Sequence, residues 1–165
     1  MNYTIRPASI SDISTIQFIA EQTWPSAYGD ILSKEQISYM LDMMYCPAAQ
    51  LEQRDKGHVF LLLLEDSEPM GFVSYQFDYQ PGTTKIHKIY VLPITQGKGY
   101  GKALLVEVRK LAQAAGQARL RLDVNYRNKA LGFYEYLGFE KVGRFDTDIG
   151  NGYLMEDYIM EMVIQ

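Results

Sequence analysis

Soft metal ligands are almost missing from this 165-residue chain: Cys46 is the sole cysteine, and His58 and His87 are its only imidazoles. That set builds neither an intrachain disulfide nor a cysteine-rich zinc site, so no metal is expected. Long apolar runs are lacking too. The longest, residues 59–64, has six members where a membrane span needs about 20. The opening Met-Asn-Tyr-Thr lacks the basic and apolar regions of a signal peptide, which reads as a cytoplasmic protein with no membrane partner. Positive charge is outnumbered, 16 Lys and Arg against 20 Asp and Glu, the wrong sign for a nucleic-acid partner. No low-complexity stretch, repeat or Pro/Gly/Ser linker divides the chain, so residues 1–165 read as one domain. With 47% hydrophobic residues, a domain of this size buries roughly 70% of its unfolded surface and needs no staple.

Periodicity predicts a mixed α/β order. Residues 3–6 read as a short strand. Ser9 to Asp12 carry helix-start chemistry ahead of Ile13, Ile16, Phe18, Ile19 and Ala20, in a helix expected to stop before Pro25. Ser33 and Gln36 have capping-box spacing before Ile37, Met40, Leu41 and Met44, and Pro47 is expected to end that second helix. Residues 58–65 and 70–79 read as a hairpin joined by Asp66-Ser67-Glu68-Pro69, followed by a strand at 85–92. Leu104, Val108, Leu111, Ala112 and Ala115 mark a helix closed by Gly116, and 119–124 alternates like a strand. A short helix at 128–137 and two strands flanking Gly150-Asn151-Gly152 complete the order.

The segment richest in chemistry is Gln96-Gly97-Lys98-Gly99-Tyr100-Gly101, between a strand and a helix. Glycines spaced two apart let backbone N–H groups converge on an anion, and the helix start adds the positive end of its dipole. A tight connection would need only one or two glycines; three of them, with Lys98 and Lys102 in an acidic chain, favour a diphosphate cradle. A Walker A loop does not fit, because only three residues separate Gly97 from Gly101 and Ala103 stands where a hydroxyl is required. The dinucleotide fingerprint fits little better: Lys102 occupies the place of its third glycine, although Asp123 imitates the ribose-binding acid.

These residues resemble the GNAT superfamily of acetyl-coenzyme A-dependent N-acetyltransferases. Gln96, Gly99 and Gly101 match the signature Q/R-x-x-G-x-G/A, after the strand Ile89-Tyr90-Val91-Leu92-Pro93. A second block, from Asn128 through Phe133, Tyr134 and Gly138 to Phe139, resembles another element of that superfamily. Within it the chain looks most like the bacterial branch that acetylates spermidine and spermine, through Thr23-Trp24, Tyr28 and the last hairpin. Bacterial protein N-terminal acetyltransferases share both central blocks. The resemblance implies a mostly antiparallel sheet flanked by helices, with two splayed parallel strands, 85–92 and 119–124, around acetyl-coenzyme A. It also implies a homodimer, as family members often pair through C-terminal strands.

It further implies roles. Val91 N–H would face the oxyanion, as acyl transfer requires a donor there. Ile89, Val91, Gln96, Gly97, Lys98, Gly99, Tyr100, Gly101, Lys102, Asn128 and Tyr134 would hold the cofactor. Tyr134 matches the tyrosine that protonates the departing thiolate, a task suited to a phenol near pKa 10; packing beside Phe133 is its bland alternative. His87, four residues before Val91, is a candidate base for the acceptor ammonium; a structural histidine, with water relaying to a carboxylate, is the other reading. Trp24 and Tyr28, with Asp30 and Tyr39 nearby, would form the acceptor wall unless the aromatics are core. Asp146, Asp148, Glu156 and Asp157 would face a polyamine or simply solvate a hairpin. Cys46 has no recognisable base partner, which argues against an acyl-enzyme route. A non-catalytic acyl-coenzyme A-binding module is the remaining alternative.

Overall fold

The computed structural model describes residues 2–165. Strand β1 (Tyr3–Pro7) leads through a 3₁₀ turn into helix α1 (Ile13–Tyr28). Helix α1 does not stop before Pro25 as expected but runs three residues past it. Proline removes one helical hydrogen bond, yet Trp24 and Tyr28, one turn apart, pack ring to ring at 4.7 Å across that point. Gly29 N–H then closes the helix on the Pro25 carbonyl.

Helix α2 (Lys34–Tyr45) starts where the spacing predicts, with Ser33 Oγ accepting the Gln36 N–H at 3.1 Å. Pro47 ends it and opens a helix that periodicity did not reveal, α3 (Pro47–Asp55). Proline suits a first helical position, where its missing N–H has no intrahelical partner to lose. Buried Gln50 ties α3 down by donating to the carbonyls of Ile13 and Tyr45.

Strands β2 (Val59–Glu65) and β3 (Glu68–Gln80) form a hairpin tighter than expected, with Glu65 opposite Glu68 and positive φ at Asp66 and Ser67. Then come β4 (Thr83–Val91), α4 (Tyr100–Ala114), β5 (Arg119–Asn125), the short α5 (Leu131–Tyr136), β6 (Glu140–Gly150) and β7 (Tyr153–Val163). They build one sheet in the order β1-β2-β3-β4-β5-β7-β6. Only β4 and β5 are parallel, and α4 is their crossover.

The apolar run 59–64 is continuous because both faces of β2 are covered. Leu61 and Leu63 join the core under α4, whereas Phe60, Leu62 and Leu64 join a second core under α1 and α2. The decisive irregularity lies in mid-sheet. Strands β4 and β5 pair from Thr83 opposite Arg119 only as far as Ile86 opposite Leu122, although β4 continues to Val91 and β5 to Asn125.

Candidate functional site

Beyond Ile86 and Leu122 the strands part around a cavity of about 410 Å³, lined among others by Ile89, Val91, Val124, Asn128 and Tyr134. On its other edge β4 is held by β3, where Leu92 N–H donates to the Met70 carbonyl at 2.8 Å. Alternation along a strand therefore turns the N–H groups of Val91 and Ile89 toward the gap. Gly71 sits opposite Val91 and permits this close approach: a Cβ there would lie 2.7 Å from Val91 Cγ1 and 2.9 Å from the Tyr90 carbonyl oxygen. Gly71→Ala is expected to cost about 1–3 kcal/mol in urea unfolding through overpacking, and to lower turnover by displacing Val91. Unchanged stability and turnover would show that the strand yields without consequence.

The glycine loop follows at the end of β4. Thr95, Gln96 and Lys98 spend their N–H groups on the carbonyls of Leu92, Pro93 and Thr95, which folds the chain into successive tight turns. Gly97 and Gly99 take φ of 86° and 78°, a region that side chains disfavour. Ala103 N–H makes the first helical bond, to Gly99. Among the described residues no acceptor takes the N–H of Gly97, Gly99, Tyr100, Gly101 or Lys102. Five free donors at a helix start form a site for a large anion. Gln96 lines the cleft.

Two members of the expected cradle are placed differently. Lys98 spends its backbone N–H on Thr95 and one N–H of its ammonium on Glu65 at 2.7 Å, with the side chain still 41% exposed. The Tyr100 ring is buried and its hydroxyl donates to the same Glu65 carboxylate, so Tyr100 offers only its backbone to the loop. Glu65 is thus a supporting residue that pattern reading missed; its place at the end of an apolar strand was the available signal.

Tyr134, only 8% exposed, lines the cleft between the rings of Phe133 and Phe139. Burial first, then the neighbouring Tyr28, push its phenol well above the ordinary value. Asn128 accepts the Ala130 N–H at 2.8 Å, which fixes the turn into α5 and sets Asn128 on the cleft wall. The Tyr28 and Tyr90 hydroxyls share a hydrogen bond at 2.8 Å. Trp24 is fully buried and belongs to the α1 core, yet it also lines a smaller cavity behind Tyr28. Asp30 is 85% exposed beside Lys129, and Tyr39 donates to the Ile149 carbonyl; neither lines the two cavities.

His87 also lines both cavities. Its ring stacks on His58 with centroids 3.8 Å apart, and its Nε2 meets Gln76 Oε1 at 3.0 Å. Burial first, then His58, Lys85, Lys88 and Arg121, pull its pKa down to about 2, so the imidazole is neutral throughout the physiological range.

The last hairpin contributes one inward carboxylate. Asp157 on β7 is 6% exposed and lines the smaller cavity with Trp24, Tyr28, Tyr90, His87 and Asp123. Asp123 is paired with Lys85 at 2.9 Å and Arg121 at 3.1 Å, whereas the Asp157 carboxylate makes no ion pair or hydrogen bond among the described residues. Burial, then repulsion from Asp123, raise its pKa from 3.8 to about 6. Between those values the native chain binds a proton that the unfolded chain does not, so Asp157 weakens the fold as pH rises through the window. Asp157→Asn is expected to stabilise the protein by on the order of 2 kcal/mol at pH near 7.5 and by nothing below about pH 3.5, in paired thermal melts. Equal melting at both pH values would overturn this.

The comparisons with known proteins agree with this geometry. Residues 16–139 match the Acetyltransferase (GNAT) family. Over 162 residues the chain is 29% identical to the spermidine N(1)-acetyltransferase of Thermoplasma acidophilum, covering 94% of this chain and 97% of that one. The crystal structure of the PaiA N-acetyltransferase of Thermoplasma acidophilum in complex with coenzyme A superposes with a TM-score of 0.83 at 28% identity, over 99% of both chains. The [ribosomal protein bS18]-alanine N-acetyltransferase of Haemophilus influenzae is 34% identical over 82 residues, half of this chain and 55% of that one. A parted parallel strand pair, a glycine cradle at a helix start and this match over most of the sequence make the chain a member of the GNAT acetyltransferase family, whose co-substrate is acetyl-coenzyme A.

Proposed function

We propose that this N-acetyltransferase acetylates a primary amine of a small polyamine, by direct transfer with both substrates bound. The observation that carries the reading is the free β4 edge at Val91, in one cleft with Tyr134 and adjoining an acidic, aromatic-walled cavity. Acetyl-coenzyme A supplies the acyl thioester. The N–H groups of Gly97, Gly99, Tyr100, Gly101 and Lys102 would hold its diphosphate, and the exposed edge at Ile89, with Asn128 across the cleft, would hold its amide-bearing arm. Val91 N–H would stabilise the negative charge that develops on the carbonyl oxygen.

Tyr134 Oη would give its proton to the departing sulfur, and the proton shed by the attacking nitrogen, passed through water, would restore the phenol. A phenol kept protonated far above neutral pH always carries the proton to be given, and the transfer, uphill for so weak an acid, is drawn on by the charge that develops on sulfur as the C–S bond breaks. His87 has no part as a base in this reading. A ring that gives up its proton near pH 2 has little hold on one from an ammonium near pKa 10. Trp24, Tyr28 and Tyr90 would face the acceptor with their rings, where a cation gains from the π electrons.

A second reading, a protein N-terminal acetyltransferase, draws on the likeness to the bS18-alanine enzyme over half the chain. The test is a panel of amines and short alanine-first peptides, with free thiol as the readout. Spermidine is expected to exceed the peptides in kcat/KM by about 100-fold or more. The reverse order would favour the peptide reading, and acetyl-coenzyme A binding without thiol release from any acceptor would leave a binding module.

A further inference from the structure

We propose that Asp157 is the counter-ion for a second, non-reacting ammonium of the acceptor, held against the rings of Trp24, Tyr28 and Tyr90, and that it selects diamines and polyamines over monoamines. The proposal rests on the amine-acetyltransferase reading and adds a specificity residue to it. A carboxylate 6% exposed and without a partner is a costly arrangement that core packing alone does not favour. Lys85 and Arg144 relieve it only in part and without contact. Lys85 and Arg121 are committed to Asp123, and Arg144 lies 3.8 Å from Asp146. The cavity it faces holds three aromatic rings and the apolar side chains of Met40, Met44 and Leu154, a lining suited to methylenes that end in a cation. Tyr28, His87, Tyr90 and Asp123 line both this cavity and the cleft that contains Val91, so one extended molecule can occupy the two.

The chemistry decides which nitrogen Asp157 holds. An ion pair favours the protonated form of its ammonium, and a protonated nitrogen has no lone pair with which to attack. The nitrogen at Asp157 is therefore not the one acetylated. The acceptor must carry at least two amines, one free to react near Val91 and one that stays charged.

Diaminobutane and n-butylamine, equal in chain length, separate the two tasks. Wild type is expected to prefer the diamine in kcat/KM by about 30-fold or more. In Asp157→Asn that preference should collapse to within about threefold, while kcat/KM for n-butylamine and KM for acetyl-coenzyme A stay within about threefold of wild type. A preference that survives the substitution overturns the proposal, as does an equal loss on both amines, which would place Asp157 at the reacting nitrogen or in the fold alone. Asp157→Ala, checked for intact acetyl-coenzyme A binding, repeats the comparison should the asparagine find a new hydrogen bond. Calorimetric titration of diaminobutane into the coenzyme A-loaded protein reads the ion pair without turnover. Inert protein that binds the diamine only when Asp157 is present overturns the assigned reaction and keeps the site; protein that binds no diamine overturns the site.

Discussion

Replacing Tyr134 by phenylalanine is expected to lower kcat by about 100- to 1,000-fold while leaving the KM for acetyl-coenzyme A within about threefold. The substitution removes one oxygen from a ring packed between Phe133 and Phe139, so the cleft keeps its shape. What disappears is the proton for the departing thiolate, needed in the transition state and not in the bound ground state; such a loss falls on kcat. Because burial raises the phenol's pKa, wild type should show no decline from this group between about pH 7 and 10. Full activity of Tyr134→Phe across that range would remove Tyr134 from the chemistry and leave it a packing residue.

The second large effect is expected at Gly99, whose φ of 78° caps α4. Asn and Asp both tolerate left-handed backbone better than other side chains, and a Cβ at this position meets nothing within 4 Å. Gly99→Asn therefore measures the modest cost of a side chain at the cradle. Gly99→Asp adds a negative charge at the free donors of the helix start, where the diphosphate would lie. Calorimetry should show acetyl-coenzyme A affinity falling by about threefold to tenfold for the asparagine and by more than about 100-fold for the aspartate. Equal affinities for the two variants would mean that no anion is held there.

The legible parts of this molecule were those whose signal is local. Gly97 and Gly99 betray their loop because left-handed backbone angles and free N–H groups leave a direct mark on composition. The β2 run and the Ser33 cap were equally readable, since periodicity and capping act over a few residues. Helix α3 was not, because Pro47 ends one helix and opens the next, and the same residue type serves both purposes. The run of α1 past Pro25 depends on packing of Trp24 and Tyr28 against β4, information that lies 62 residues away at Tyr90. Lys98 illustrates the same limit: its ion pair with Glu65, 33 residues earlier, leaves no local mark. Asp157 looked like any hairpin carboxylate until β5 and β7 came together; its phase with partly buried Met155, two residues back, was a weak local clue.

Within the sheet, the four residue pairs between Thr83–Ile86 and Arg119–Leu122 are the strand pairing that joins the first four strands to the last three. A sheet so joined has a seam, and a guest lying along it with its amides bonded to β4 would act as an eighth strand, making two plates into one. Loading the cofactor should therefore stiffen the molecule far from where it touches. Amide deuteration at Met160 and Leu120, neither of which lines the cleft, would then slow together with that at Val91.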